Sequence, residues 1–179
     1  MLEDLQKEIQ KIEISTSIKK ISLSENERLI FNKAYDLLSR REYSKIELSK
    51  KLANKFPDKS HLISELIIKL EESGYLSEAR YKEMIIKKLL KKGSSHRAIS
   101  NELSLHNIHT SNSEIDEWQY SLGLSKKESI NSLIQKKLRL IPNKALQKKR
   151  ESIIRFLLSK GYTYEEIKPS IEDSLKDHF

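Results

Sequence analysis

The stretch RREYSKIEL, residues 40–48, is nearly repeated by SKGYTYEEI at 159–167, and KKGSSHRAI at 91–99 is a weaker copy. In the first and last, a basic residue precedes an aromatic, a hydroxyl residue follows, and a glutamate stands three positions on, with an aliphatic after it. Superposed, Ser44, Ser95 and Thr163 align; four residues later come Leu48, Ile99 and Ile167, and four further Leu52, Leu103 and Ile171. A hydroxyl N-cap followed by apolar residues at helical spacing starts a helix and buries one stripe of it. Ser44–Glu47 and Thr163–Glu166 are expected to complete capping boxes, the glutamate reaching back to the cap's own amide, whereas Ser95 has Ala98 at the glutamate position. Gly93 and Gly161 stand two residues before their caps, where a preceding helix ends in a left-handed turn; Glu42 holds that place in the first copy, so the first turn must differ. The copies lie 51 and 68 positions apart, which predicts a degenerate array with an insertion before the last one.

The flanking sequence extends the same plan. Ser24–Glu27 caps a helix with Ile30, Ala34, Leu37 and Leu38 on one face, and Leu62, Ile63, Leu66, Ile67 and Leu70 mark another that stops at Gly74. Tyr81, Met84, Ile85 and Leu89 mark the next. A short helix carries Ile115, Trp118 and Leu122, and Ser125–Glu128 opens one through Ile130, Leu133, Ile134 and Leu138 that Pro142 breaks. The fold class expected is all-α: three degenerate three-helix repeats in an elongated array, with boundaries at 26–76, 77–122 and 123–179, after an N-terminal extension at 1–25. A unit of roughly 50 residues buries too little surface to be comfortable alone, so neighbours should stabilise one another. In the extension, Leu2, Leu5, Ile9 and Ile12 follow a helical stripe, while KIEISTSIKKISLS alternates enough for a short hairpin. Pro169 leaves two readings open: a last helix that starts late, or one that is kinked.

Composition excludes several classes. With 37% apolar and 34% charged residues over 179 positions, the chain is lightly cored. It has no cysteine, which removes disulfides, thiolate metal sites and a cysteine nucleophile. His106 and His109 lie in a polar stretch without a carboxylate at ligand spacing, so no metal and no cofactor is expected. No phosphate-cradling glycine loop or nucleophile elbow appears, and the adjacent Glu71 and Glu72 point to different helix faces, so an enzyme is not expected. No apolar run approaches the roughly 18 residues that span a bilayer. The opening MLEDLQKEIQK mixes acids and bases unlike a signal peptide, so a cytoplasmic, membrane-free protein is the expectation.

The net charge of +8 is concentrated: residues 126–160 hold eleven basic and two acidic side chains. Such a patch attracts polyanions or an acidic protein face. The candidate contact residues are Lys136, Lys137, Arg139, Lys148, Lys149, Arg150 and Arg155 in that segment; Lys87, Lys88, Lys91 and Lys92 on the polar face of the helix before Gly93; and Arg40 and Arg41 at the end of the first helix, where cations also suit the helix dipole. Arg97, with His96 and Asn101, is placed to touch DNA if the second copy acts as a helix-turn-helix. Tyr43 and Tyr162 precede their caps, where a hydrophobic staple is expected.

LLSRREYSKIELSKKL, LIIKLEESGYLSEARY, KKLLKKGSSHRAISNEL and RFLLSKGYTYEEI, taken in order, resemble the RecX family of regulators of the bacterial RecA recombinase. The resemblance runs from about Asn26 to Ile171, and Leu38, Arg40, Arg41, Ser44, Glu47, Leu48 and Leu52 fit the family pattern in sequence. Three departures stand out: Ser77 and Glu78 in place of an acidic pair, Asn107 in place of a glycine, and Lys160 in place of an arginine. None removes a core position. The resemblance implies a non-catalytic, monomeric protein of DNA repair and recombination. Such a protein binds RecA filaments on single-stranded DNA and restrains ATP hydrolysis, filament growth and strand exchange. A different class, a basic helical module acting directly on single- or double-stranded DNA, is the alternative.

Overall fold

The computed structural model describes residues 23–142 and 145–176, so the alternatives raised for the N-terminal extension lie outside the described residues. Every regular element among the described residues is helical. In chain order they are α1 (Glu25–Leu38), α2 (Lys45–Lys55), a 3-10 turn (Pro57–Lys59), α3 (Ser60–Glu72), α4 (Glu78–Lys91), α5 (His96–Ser104), α6 (Asn112–Ser121), α7 (Lys126–Arg139), α8 (Leu146–Ser159) and α9 (Tyr164–Lys176). The chain forms two compact units, one through Tyr81 and one from Lys82.

In the first unit, α1, α2 and α3 pack on one another around Ile30, Phe31, Ala34, Leu48, Leu52, Leu66 and Leu70. The helix starts follow from local chemistry. Ser24 and Glu27 complete a capping box, and the Ser44 hydroxyl accepts from the Glu47 amide at 3.0 Å. The Glu47 carboxylate itself meets the Arg41 guanidinium through both oxygens, so this glutamate also anchors the turn where the other copies have glycine. Tyr43 is buried beneath Arg41, whose guanidinium lies 3.8 Å from the ring centroid.

In the second unit, α7, α8 and α9 pack mutually around Ile134, Ile153, Leu157, Ile167 and Ile171. Helices α4 to α6 bury Ile85, Ile86, Leu90, Ile99, Leu103 and Ile115. Polar ties fasten α6 to its neighbours: Lys82 pairs with Glu114 at 2.7 Å, His96 meets Gln119 at 3.0 Å, and the Lys87 ammonium lies 4.3 Å from the Trp118 ring. The apolar stripe of α4 is rotated from the one expected, with Ile86 and Leu90 buried and Met84 and Leu89 only partly so.

Leu48, Ile99 and Ile167 are each fully buried, at 0% exposure, so every copy of the opening phrase buries its aliphatic residue. The phrase starts α2 and α5, second in their triplets, but α9, third in the last, so the longer second spacing is an interposed helix, α7. Thr163 and Glu166 form the full reciprocal cap of α9. Pro169 therefore lies inside α9, which excludes the late start; a proline there removes one amide donor at a cost of about 3 kcal/mol. Asn107, the departure from a family glycine, has φ +59°, a conformation asparagine tolerates better than other side chains.

The second and third copies touch each other. The Ser95 amide donates to the Lys160 carbonyl at 3.0 Å and Arg97 Nε donates to the Gly161 carbonyl at 3.2 Å. A Cβ at Gly161 would collide with Ser95 Oγ and lie 2.7 Å from the Ala98 Cβ, and φ is +90°, so the position excludes a side chain twice over.

Candidate nucleic-acid interface

A groove of about 750 Å³ in the second unit gathers cations from three helix ends. Lys91 and Lys92 come from the end of α4, Lys136 and Lys137 from the last turn of α7, and Lys160 from the cap of α8. The local reason is common to all three: a basic residue in the last turn or at the cap lies near the unsatisfied carbonyls and partial negative charge of a helix C-terminus. Among the described residues none of these five lysines makes an ion pair, and Glu128 is the one carboxylate lining the groove. The groove follows one stripe of α7 from Ser125 through Ser129, Ser132 and Leu133 to Leu140. Its wall carries Phe156, whose ring centroid is 5.4 Å from Lys137 Nζ and 5.7 Å from Lys160 Nζ.

Thus the fold brings Lys91, Lys92, Lys136 and Lys137 together from two segments 45 residues apart in sequence (91 to 136). It adds Lys160 and Phe156, which the sequence reading did not single out. Lys160 stood there as a substitute for arginine and Phe156 as one more apolar residue of a helix; only packing shows them flanking the same space. Lys87 is engaged by Glu83 and Trp118, while Lys88 is exposed. Arg139 and Arg155 are exposed, as is Lys148, with Lys149 half-buried and Arg150 within 3.4 Å of the Tyr164 hydroxyl. These residues do not line the groove.

The helix-turn-helix groups are otherwise occupied. His96 meets Gln119 and Asp116, and Arg97 holds the Gly161 carbonyl, leaving Asn101 exposed. In the first unit Arg40 pairs with Asp36 at 2.9 Å and Arg41 with Glu47. Glu27, buried under the α1 cap, has its carboxyl held down to about 2 by the Lys69 ammonium at 2.5 Å and by the Ser24 amide and hydroxyl. Burial pushes the Tyr162 phenol up to about 12, with the Glu166 charge adding to it. Among the described residues no group of three or more His, Asp or Glu side chains could hold a metal, and no helix is long and apolar enough to cross a membrane.

Comparison with known proteins agrees with this architecture. A family profile described as "RecX, third three-helix domain" matches residues 127–169, which cover α7, α8 and the first part of α9. The chain is 32% identical over 136 residues to the "Regulatory protein RecX" of Ectopseudomonas mendocina (strain ymp), covering 75% of this chain and 87% of that protein. It is 33% identical over 143 residues to that of Vibrio vulnificus (strain CMCP6), covering 78% and 89%. The fold is similar to the crystal structure of RecX from Lactobacillus salivarius, with a TM-score of 0.60 at 23% identity over 84% of this chain and 97% of that one. A relationship of this extent and identity decides the family. The chain belongs to the RecX family of regulatory proteins, and it is built of their three-helix repeats.

Proposed function

We propose that this protein binds RecA filaments on single-stranded DNA and restrains their ATP hydrolysis, growth and strand exchange, as a cytoplasmic monomer without chemistry of its own. The observation that carries this reading is the family relationship across three-quarters of the chain to proteins named as regulatory. The repeats take the boundaries 26–76, 77–122 and 123–179. An array of helical repeats suits a filament because it offers separated contacts to successive protomers, and bivalent engagement raises affinity without new chemistry. The exposed cations on the solvent side of α8, Lys148 and Arg155, with Lys149 beside them, offer a surface for an acidic face of the filament.

The test is RecA-filament ATP hydrolysis on single-stranded DNA with this protein titrated in. Inhibition that saturates near stoichiometric ratios is expected, and weaker inhibition after Lys148→Glu, Lys149→Glu and Arg155→Glu together. No effect of the wild-type protein at stoichiometric ratios overturns the reading.

A further inference from the structure

Phe156 is half-buried, resting one edge on the core of the third triplet while its ring also lines the lysine groove. Its setting differs from that of the other ring with a lysine over it in this unit. Lys87 lies over Trp118 but is neutralised by Glu83, whereas Lys137 and Lys160 approach Phe156 with no carboxylate partner among the described residues. Lysines gathered with only the partial charges of helix ends and no paired carboxylate repel one another, so an anion entering the groove is favoured.

The shape narrows the anion. The groove runs the length of α7, about 20 Å at 1.5 Å per residue. That is room for roughly six nucleotides at the ~3.4 Å spacing of a stacked strand, far more than one phosphate needs. A duplex matches the lysines but keeps its base faces stacked inside, leaving the phenyl ring and Leu140, which is 69% exposed, unmatched. An acidic protein face likewise matches the charge alone. A single strand supplies both features: phosphates in series for the lysines, and free base faces for the ring. Base–aromatic stacking beside a cationic track is how strands are held without sequence preference.

We propose that this groove binds single-stranded nucleic acid, with Phe156 as the stacking platform and the five lysines neutralising the phosphates around it. Ser129 and Ser132, which also line it, are hydroxyl donors for phosphate oxygens, and Glu128 makes the end near the α7 N-terminus the less favourable one for the strand. The inference does not rest on the RecA reading, because it concerns this chain and an oligonucleotide alone.

The experiment is fluorescence anisotropy of labelled dT 12-mer, U 12-mer and a 12-base-pair duplex with the full chain across a salt series. The dT strand should bind at least tenfold tighter than the duplex. Phe156→Leu, which keeps apolar packing but loses the ring, should weaken strand binding about tenfold and leave the salt slope unchanged, and Phe156→Trp should restore it. Lys136→Gln with Lys160→Gln should lower the slope by about 0.7 per lysine. The U strand should bind within tenfold of the dT strand, since neither phosphate neutralisation nor stacking depends on the sugar. The proposal is overturned if the duplex binds as tightly, if Phe156→Leu binds like wild type, if the lysine changes leave the slope unaltered, or if no oligonucleotide binds. Competition by polyglutamate as effective as by the dT strand would equally overturn it, and would assign the groove to an acidic protein.

Discussion

The first triplet and the lysine groove use cations in opposite ways. In the first unit, which holds that triplet and the start of α4, each of the best-placed cations answers a carboxylate: Arg40 with Asp36, Arg41 with Glu47, Lys45 with Glu71, Lys69 with Glu27 and Arg80 with Glu42. In the groove five lysines and a phenyl ring line one space with a single glutamate among them. Both regions are rich in positive charge along the sequence, yet one spends it on its own fold and the other holds it toward solvent. What separates structural from available charge is therefore the pairing, which a charge count does not contain.

The largest effects should not respect that difference, because they belong to the cores. Leu48→Ala in the first unit and Ile99→Ala in the second should each cost roughly 2–5 kcal/mol in urea unfolding, both side chains being fully buried. A negligible cost at either position would break the equivalence of the repeated phrase. Next comes Glu27→Gln, expected to destabilise the first unit by about 1–2 kcal/mol, since it leaves Lys69 and the α1 cap without their carboxylate. The Glu27 carboxyl titrates lower in the folded chain than in the unfolded one. Its contribution is therefore complete above the ordinary value of 4.5 and should fade as pH falls toward about 2. A wild-type and Glu27→Gln pair whose stabilities fail to converge over that acid range would refute the assignment.

Smaller still is Arg41→Gln, which removes a partly exposed, two-oxygen ion pair and a ring contact, and should cost about 0.5–1 kcal/mol. The sharpest contrast is the smallest effect. Lys136→Gln in the groove should change stability by no more than about 0.5 kcal/mol in either direction, because no paired acid is lost. A cost as large as that of Arg41→Gln would mean that the groove lysines are structural after all.

Much of the fold was legible in the chain because helix starts are local. Ser24, Ser44, Ser95, Ser125 and Thr163 act within three residues of themselves, and Gly93 and Gly161 show their left-handed turns by identity alone. The face that a helix buries is less local. KEMIIKKLL has apolar residues on more than one side, and only the neighbouring helices choose Ile86 and Leu90 over Met84 and Leu89. The same limit governed the site. Residues 126–160 advertised their charge, but the partners that give it shape are Lys91 and Lys92 from α4 and the ring of Phe156, and no spacing rule links them. Arg41 looked like a dipole partner and is held instead by Glu47, a residue already accounted for as a cap.

Gly161 carries a meaning beyond its turn. Its carbonyl and that of Lys160 accept from the start of α5, and its missing side chain is the space into which Ser95 and Ala98 fit. In a repeat array, cooperativity is a nearest-neighbour coupling, and here two helix caps share hydrogen bonds across that boundary. Loosening the C-terminal end of α8 withdraws these acceptors from the start of α5, so fraying there cannot stay confined to one repeat. The second and third triplets should consequently open and close as a single event, making this junction the point through which strain applied to either is communicated to the other.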